Sequence, residues 1–167
     1  MSKLTIPYLP FNAIVKTPFG AVGMRLDSAR THIQELIYLP ADTKARKPDC
    51  ELAERACAQI KSFIVNPNFK FDLPLLDQGS AFQKKVWQVI SGLEAGQVLT
   101  YKQVGQIIQC GAPRAVGGAC GANPYPLIVP CHRVVGANGI GGFAHNDDGF
   151  FIEVKRWLLA HEGIAYD

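Results

Sequence analysis

Residues 100–121 read TYKQVGQIIQCGAPRAVGGACG, and this stretch decides the fold of the second half of the chain. Thr100 and Gln103 form a capping box, a hydroxyl at the helix cap and an amide three residues on. They open a short helix expected to end at Cys110–Gly111. Pro113 suits the first turn of the next helix, which is expected to run through Arg114 to about Gly121. Two short helices joined by a tight Gly/Ala/Pro corner make the helix-turn-helix pattern. The second helix is unusual in holding three glycines and three alanines within residues 115–122. Each glycine costs roughly 1 kcal/mol of helix stability against alanine, and a sequence that accepts this needs a close approach. Two readings remain open. One is tight packing of the helix on the core; the other is a smooth face laid in a nucleic-acid groove with Arg114 at its leading end.

Upstream, Ser80–Ala81–Phe82–Gln83 is a second capping box, followed by an apolar stripe of Phe82, Val86, Trp87 and Ile90. Downstream, Asn123–Pro124–Tyr125–Pro126 is a rigid turn leading into a strand-like Leu127–Val129. Then comes Pro130–Cys131–His132–Arg133. The 14 residues Gly136–Gly149 hold five glycines, and a loop that long inside a domain is functional or mobile. Phe151–His161 is expected as a last amphipathic helix, with Val154, Trp157 and Leu158 facing in and Gly163 after its end.

The first half differs in character. Residues 12–16, 21–26 and 33–39 are β-like runs separated by turn formers, so a small antiparallel meander is expected. Residues 49–65 place Leu52, Ala56, Ile60 and Ile64 at helical spacing. Residues 71–79 carry turn formers without periodicity and are the candidate linker. The expected organisation is an N-terminal α/β domain, 1–76, and a C-terminal, mostly helical domain, 77–167. The fold class is α/β: a small sheet-plus-helix domain followed by a winged-helix-like helical domain.

The chain has 167 residues, 48% hydrophobic and 19% charged, enough apolar surface for a core. A net charge of +3 permits a polyanionic partner without requiring one. The excess reads as spread over both halves. Five cysteines, odd in number and without CxxC spacing, argue against a disulfide framework and a zinc knuckle. A reducing, cytoplasmic setting is expected. The opening residues form no signal peptide, and no segment is long enough to span a bilayer.

Cys131 is the candidate nucleophile. Cysteine attacks as the thiolate, which a neighbouring base or cation favours, and His132 and Arg133 stand next to it. Glu162, at the end of the last helix, is the candidate orienting acid, and Asn123 the candidate brace of the turn. The plainer alternatives are a buried structural cysteine, a solvated helix end and an ordinary turn residue.

These residues carry a family resemblance. FQKKVW, TYKQVG, RAVGGA, NPYP and PCHRV occur in the order and spacing of the O6-alkylguanine-DNA alkyltransferases, over about residues 82–163. The chain closely resembles that family, while the first half is similar only in length and pattern. The resemblance implies a ribonuclease-H-like first domain and a single-turnover DNA repair reaction that moves an alkyl group from a flipped-out O6-alkylguanine to the protein. By resemblance, Cys131 is the acceptor, His132 its base acting through a water, Glu162 the partner that fixes the imidazole, and Asn123 the brace. Tyr101 lines the pocket and assists the departing guanine, with Val134 and the backbone of Ala144 also on the substrate. Arg114 fills the gap left by the flipped nucleotide. Ala115, Gly118 and Ala119 belong to a recognition helix in the minor groove of double-stranded DNA.

No cofactor is implied. The zinc ligands of some family members have no counterpart here, so no metal site is expected, and a monomer is. One departure is an insertion of about four residues, His145–Asp148, after Gly141–Ala144. A lesion-binding protein without chemistry, a helix-turn-helix regulator and a cysteine peptidase are weaker readings. Cys131 is present, and neither an effector domain nor a peptide cleft is visible.

Overall fold

The computed structural model describes residues 10–141 and 149–166. The chain divides into two compact units, Met1–Leu76 and Asp77–Asp167. It is a mixed α/β fold with a small antiparallel sheet and, among the described residues, five α-helices.

In the first unit, β1 (Ala13–Thr17), β2 (Gly20–Leu26) and β3 (Ile33–Leu39) form an antiparallel meander in the order β1-β2-β3. The central strand β2 is buried along its whole length. Gly23 lacks a side chain for a reason: a Cβ there would stand 2.8 Å from the Phe11 ring. Helix α1 (Glu51–Val65) packs against β1 and buries Ala53, Ala56, Cys57, Ile60 and Phe63. Those positions follow the i, i+3, i+4, i+7 rule, but the buried face is rotated from the expected stripe, leaving Leu52 and Ile64 half-buried. Part of the expected linker returns to the sheet. Ile33 N–H donates to Pro74 O at 2.8 Å, and Leu76 N–H donates to Ile33 O at 2.9 Å.

The second unit contains α2 (Ala81–Ser91), β4 (Leu99–Thr100), α3 (Tyr101–Ile107), α4 (Pro113–Gly121), β5 (Val134–Val135) and α5 (Phe150–His161). Both expected capping boxes form, at Ser80 with Gln83 and at Thr100 with Gln103. Helix α3 ends three residues sooner than its sequence suggested. Gln109 adopts φ 59°, and Cys110 N–H turns back to Gly105 O at 2.7 Å. Gly105 permits that corner, since a Cβ there would lie 2.6 Å from Cys110 O. Strands β4 and β5 pair in parallel, Leu99 with Val134 and Thr100 with Val135.

Leu127–Val129 is not a strand. Pro126 and Pro130 bracket it, Leu127 adopts φ 74°, and Val129 N–H closes a turn onto Tyr125 O at 2.8 Å. The two prolines remove the donors that a ladder needs. The insertion His145–Asp148 and the Ala144 backbone lie outside the described residues.

Candidate active site

Cys131 is presented by a brace. Asn123 leaves α4 and donates through Nδ2 to Val129 O at 2.8 Å, while its Oδ1 accepts from Tyr125 N–H at 2.9 Å. One side chain thus holds both ends of the bracketed turn, beside Cys131. Cys131–Arg133 then forms one 3-10 turn before β5. The thiol is buried, with the residue 6% exposed. Burial pushes the Cys131 thiol up, against Asn123 and the nearby Lys155 ammonium, which favour the thiolate.

His132 is fully buried, and its Nε2 lies 2.6 Å from Glu162 Oε2. The same carboxylate accepts from Arg133, Nε to Oε1 at 2.9 Å and Nη2 to Oε2 at 2.9 Å, and from Gly96 N–H at 3.2 Å. Burial disfavours the charged form of Glu162. The hydrogen bonds and charges of His132 and Arg133 outweigh it and hold its carboxyl at about 2. Burial also pushes His132 below its ordinary value, against the opposing pull of Glu162. The imidazole is therefore neutral at neutral pH, which a base requires. Glu162 occupies Nε2, so Nδ1 is the nitrogen left to exchange a proton.

Arg133 corrects one expectation. Its guanidinium grips Glu162 and donates to Leu93 O at 2.7 Å, so it acts on the acid rather than on the thiol. The cation whose charge favours the Cys131 thiolate is Lys155. It is fully buried on α5, donates to Val134 O at 2.8 Å and lies 3.4 Å from the Tyr101 hydroxyl. Burial lowers the Lys155 ammonium to about 8, opposed by Cys131 and Cys120. The sequence reading passed over Lys155. Its signal was register: it falls three residues after Ile152 and three before Leu158, both buried.

Tyr101, at the first turn of α3, is half-buried against this cluster, and burial pushes its phenol up. Val134 is wholly buried and meets Lys155 through its carbonyl. Gly141, at φ +76°, packs on the Tyr101 ring; a Cβ there would stand 3.0 Å from Tyr101 Cε2 and 2.8 Å from Gly136 N. The structure thus gathers Cys131, His132, Glu162, Asn123, Tyr101 and Val134 into one unit.

Helix α4 presents a different surface. Arg114, Ala115 and Gly118 are exposed, and a Cβ at Gly118 would meet nothing within 4 Å. Core packing therefore does not explain Gly118, which leaves the smooth exposed face. Ala119 corrects the expectation. It is 3% exposed and turned inward, where its carbonyl accepts from Trp87 Nε1 at 2.8 Å. Among the described residues no cluster of His, Cys, Asp and Glu could hold a metal ion, and no helix is long and apolar enough to cross a membrane.

Comparison with known proteins places this geometry among relatives. The family model described as 6-O-methylguanine DNA methyltransferase, DNA binding domain, matches residues 81–164. A probable methylated-DNA–protein-cysteine methyltransferase of Acanthamoeba polyphaga mimivirus is 35% identical over 151 residues, 89% of this chain and 94% of the relative. A methylated-DNA–protein-cysteine methyltransferase of Methanosarcina acetivorans is 31% identical over 160 residues, 92% of this chain and 98% of the relative. The crystal structure of Mycobacterium tuberculosis OGT in complex with DNA superposes with a TM-score of 0.74 at 30% identity, covering 90% of this chain and 91% of that one. Likeness thus extends through the first half, further than the motifs reach.

Proposed function

The chain belongs to the methylated-DNA–protein-cysteine methyltransferase family, and from that membership and the site above we propose a DNA repair protein that reverses O6-alkylguanine damage once per chain. Cys131 is the acceptor. Its thiol passes a proton to His132 through a water, and the thiolate attacks the alkyl carbon. The S–C bond forms as the C–O6 bond breaks, and the electron pair leaves with the guanine. That anion regains a proton through the hydrogen bonds of Tyr101. Among the described residues none is placed to cleave the thioether, so the protein is consumed.

The observation that carries this reading is the closed His132–Glu162 contact of 2.6 Å behind a buried, braced Cys131. A neutral imidazole can take the thiol proton, and the ionised Glu162 stabilises the imidazolium that forms. Lys155 offsets the charge of the buried thiolate. The Val134 wall and the Tyr101 ring shape the guanine pocket.

The DNA contact belongs to α4. A base inside a duplex is out of reach, so the nucleotide must be extruded, at a cost of a few kcal/mol. Arg114 is the wedge that fills the gap, and Ala115 and Gly118 let the helix lie close in the minor groove. The same reading makes the first unit ribonuclease-H-like and the second winged-helix-like. The protein works as a cytoplasmic monomer that needs no cofactor.

The test is incubation with excess duplex carrying one O6-methylguanine, read by intact-mass spectrometry. Each chain should gain one methyl mass and repair one lesion. Cys131→Ala should take up none while retaining DNA binding. Repeated turnover would refute the reading.

A further inference from the structure

The net positive charge of this chain is not on the unit that carries the acceptor cysteine. Residues 1–76 hold ten Lys and Arg against seven Asp and Glu, and residues 77–167 hold seven against seven. The whole excess of +3 lies on the first unit, which corrects its expected spread over both halves. Four cations of that unit are already engaged. Lys16 donates to the carbonyls of Ala41 and Thr43, and Arg25 pairs with Glu35. Arg30 lies 3.5 Å from Asp49, and Arg55 lies 3.6 Å from Asp72.

Lys44, Arg46 and Lys47 differ. All three are exposed, within four consecutive residues. Among the described residues none of them has an ion pair or a side-chain hydrogen bond. Asp42 is the one acid of the same loop 41–48; Asp49, just beyond it, is held by Asn12 Nδ2 at 3.2 and 3.1 Å. The loop backbone is nevertheless fixed. Thr43 N–H donates to Pro40 O at 3.0 Å, Lys16 Nζ grips Thr43 O at 2.6 Å, and Arg46 exchanges both backbone hydrogen bonds with Ile14 at 3.0 and 3.1 Å. Asp49 N–H closes the segment onto Asn12 O at 3.1 Å. Three cations are thus held along the open edge of β1 by contacts that use none of their charge.

We infer that Lys44, Arg46 and Lys47 are a second phosphate-contact surface for the DNA backbone. The inference rests on the reading of the chain as a DNA repair protein. Non-specific DNA affinity comes almost entirely from cations that displace counterions from phosphates. Helix α4 offers Arg114 on an otherwise uncharged Gly/Ala face, and its unit has no net charge. The first unit supplies the sequence-independent attraction that a search along undamaged DNA needs, and α4 supplies the wedge.

The experiment is the salt dependence of binding to an unmodified duplex by K44Q/R46Q/K47Q. Each lost phosphate contact lowers the slope of log K against log salt by about 0.9. The slope should therefore fall by about 2 to 3, and affinity at 50 mM salt should drop roughly tenfold or more. Alkyl uptake from free O6-benzylguanine should stay at the wild-type rate, which also reports an intact fold. The charge-preserving K44R/R46K/K47R should keep the wild-type slope. A neutral variant whose slope stays within about 0.5 of wild type, about half of one contact, would overturn the inference. So would a loss seen on anionic vesicles or single-stranded RNA but not on duplex. Because the slope is read on undamaged DNA, it is decided whether or not methyl transfer occurs; absence of transfer would instead overturn the functional reading.

Discussion

Glu162→Gln tests the site at its most connected point. The Glu162 side chain is completely buried, between the His132 imidazole and the Arg133 guanidinium. Glutamine keeps the volume and one acceptor oxygen but removes the charge. Arg133, 9% exposed at its side chain, would then be a buried cation without its counter-ion. Breaking a buried pair from one side costs about 3–5 kcal/mol, and the surviving acceptor puts the loss at the lower end, about 3 kcal/mol. The depressed carboxyl, which reflects the same contacts, gives a figure of the same order. The carboxyl is held at about 2 against 4.5 for a free group. At 1.36 kcal/mol per pKa unit that depression is worth about 3 kcal/mol at neutral pH.

The sign follows from the direction of the shift. A depressed carboxylate stabilises the fold fully above its unfolded value and loses that stabilisation as pH falls toward 2. Part of it should be gone by pH 3.5, between the unfolded and folded values. Urea denaturation of both proteins at pH 7, 5.5, 4.5 and 3.5 measures the difference directly. The gap should be about 3 kcal/mol at pH 7 and 5.5 and narrow at 4.5 and 3.5, where the wild type alone loses ground. A variant within about 1 kcal/mol of wild type, below the range for a broken buried pair, refutes the reasoning. So does a gap that stays constant with pH.

Four further outcomes follow from individual contacts. Gly141→Ala places a Cβ 3.0 Å from the Tyr101 ring and 2.8 Å from Gly136 N at φ +76°, so single-turnover transfer from free O6-benzylguanine should slow about tenfold, the effect of roughly 1.4 kcal/mol, while unmodified DNA binding is unchanged. Lys155→Met removes the cation that favours the Cys131 thiolate; iodoacetamide labelling of Cys131, read by peptide mass at pH 7.5, should slow, with Lys155→Arg recovering part of the rate. Arg114→Ala should slow repair in duplex DNA far more than reaction with free O6-benzylguanine, which needs no flipping, and equal losses would point to a structural role. Below its ordinary value His132 gains a proton and ceases to be a base, so the transfer rate should hold through neutrality and fall on the acid side of it.

The helices were legible because local chemistry specifies them. Ser80 with Gln83 and Thr100 with Gln103 close their boxes within four residues, so no distant partner is needed to know where α2 and α3 start. The β1–β3 meander was legible for a similar reason, its turns being marked by Pro18, Gly20 and Asp27. Leu127–Val129 was misread because apolar, β-branched composition resembles a strand. The Asn123 side chain and two prolines decide that conformation, and no periodicity reports them. The site divides along the same line. Cys131 and His132 are adjacent in sequence, so their association was visible, and Glu162 was reachable as the acid at a helix end. The roles of Arg133 and Lys155 were not visible, because adjacency in the chain does not fix the direction of a side chain. Arg133 stands next to His132 yet turns to the acid, whereas Lys155, 24 positions from Cys131, supplies the charge that favours the thiolate. Activation of this nucleophile is therefore a property of how α5 packs on the 3-10 turn. A substitution that shifts α5, such as one at the buried Leu158 or Leu159, should impair alkyl transfer before it abolishes DNA binding, since Arg114 and Gly118 lie on the exposed face of α4.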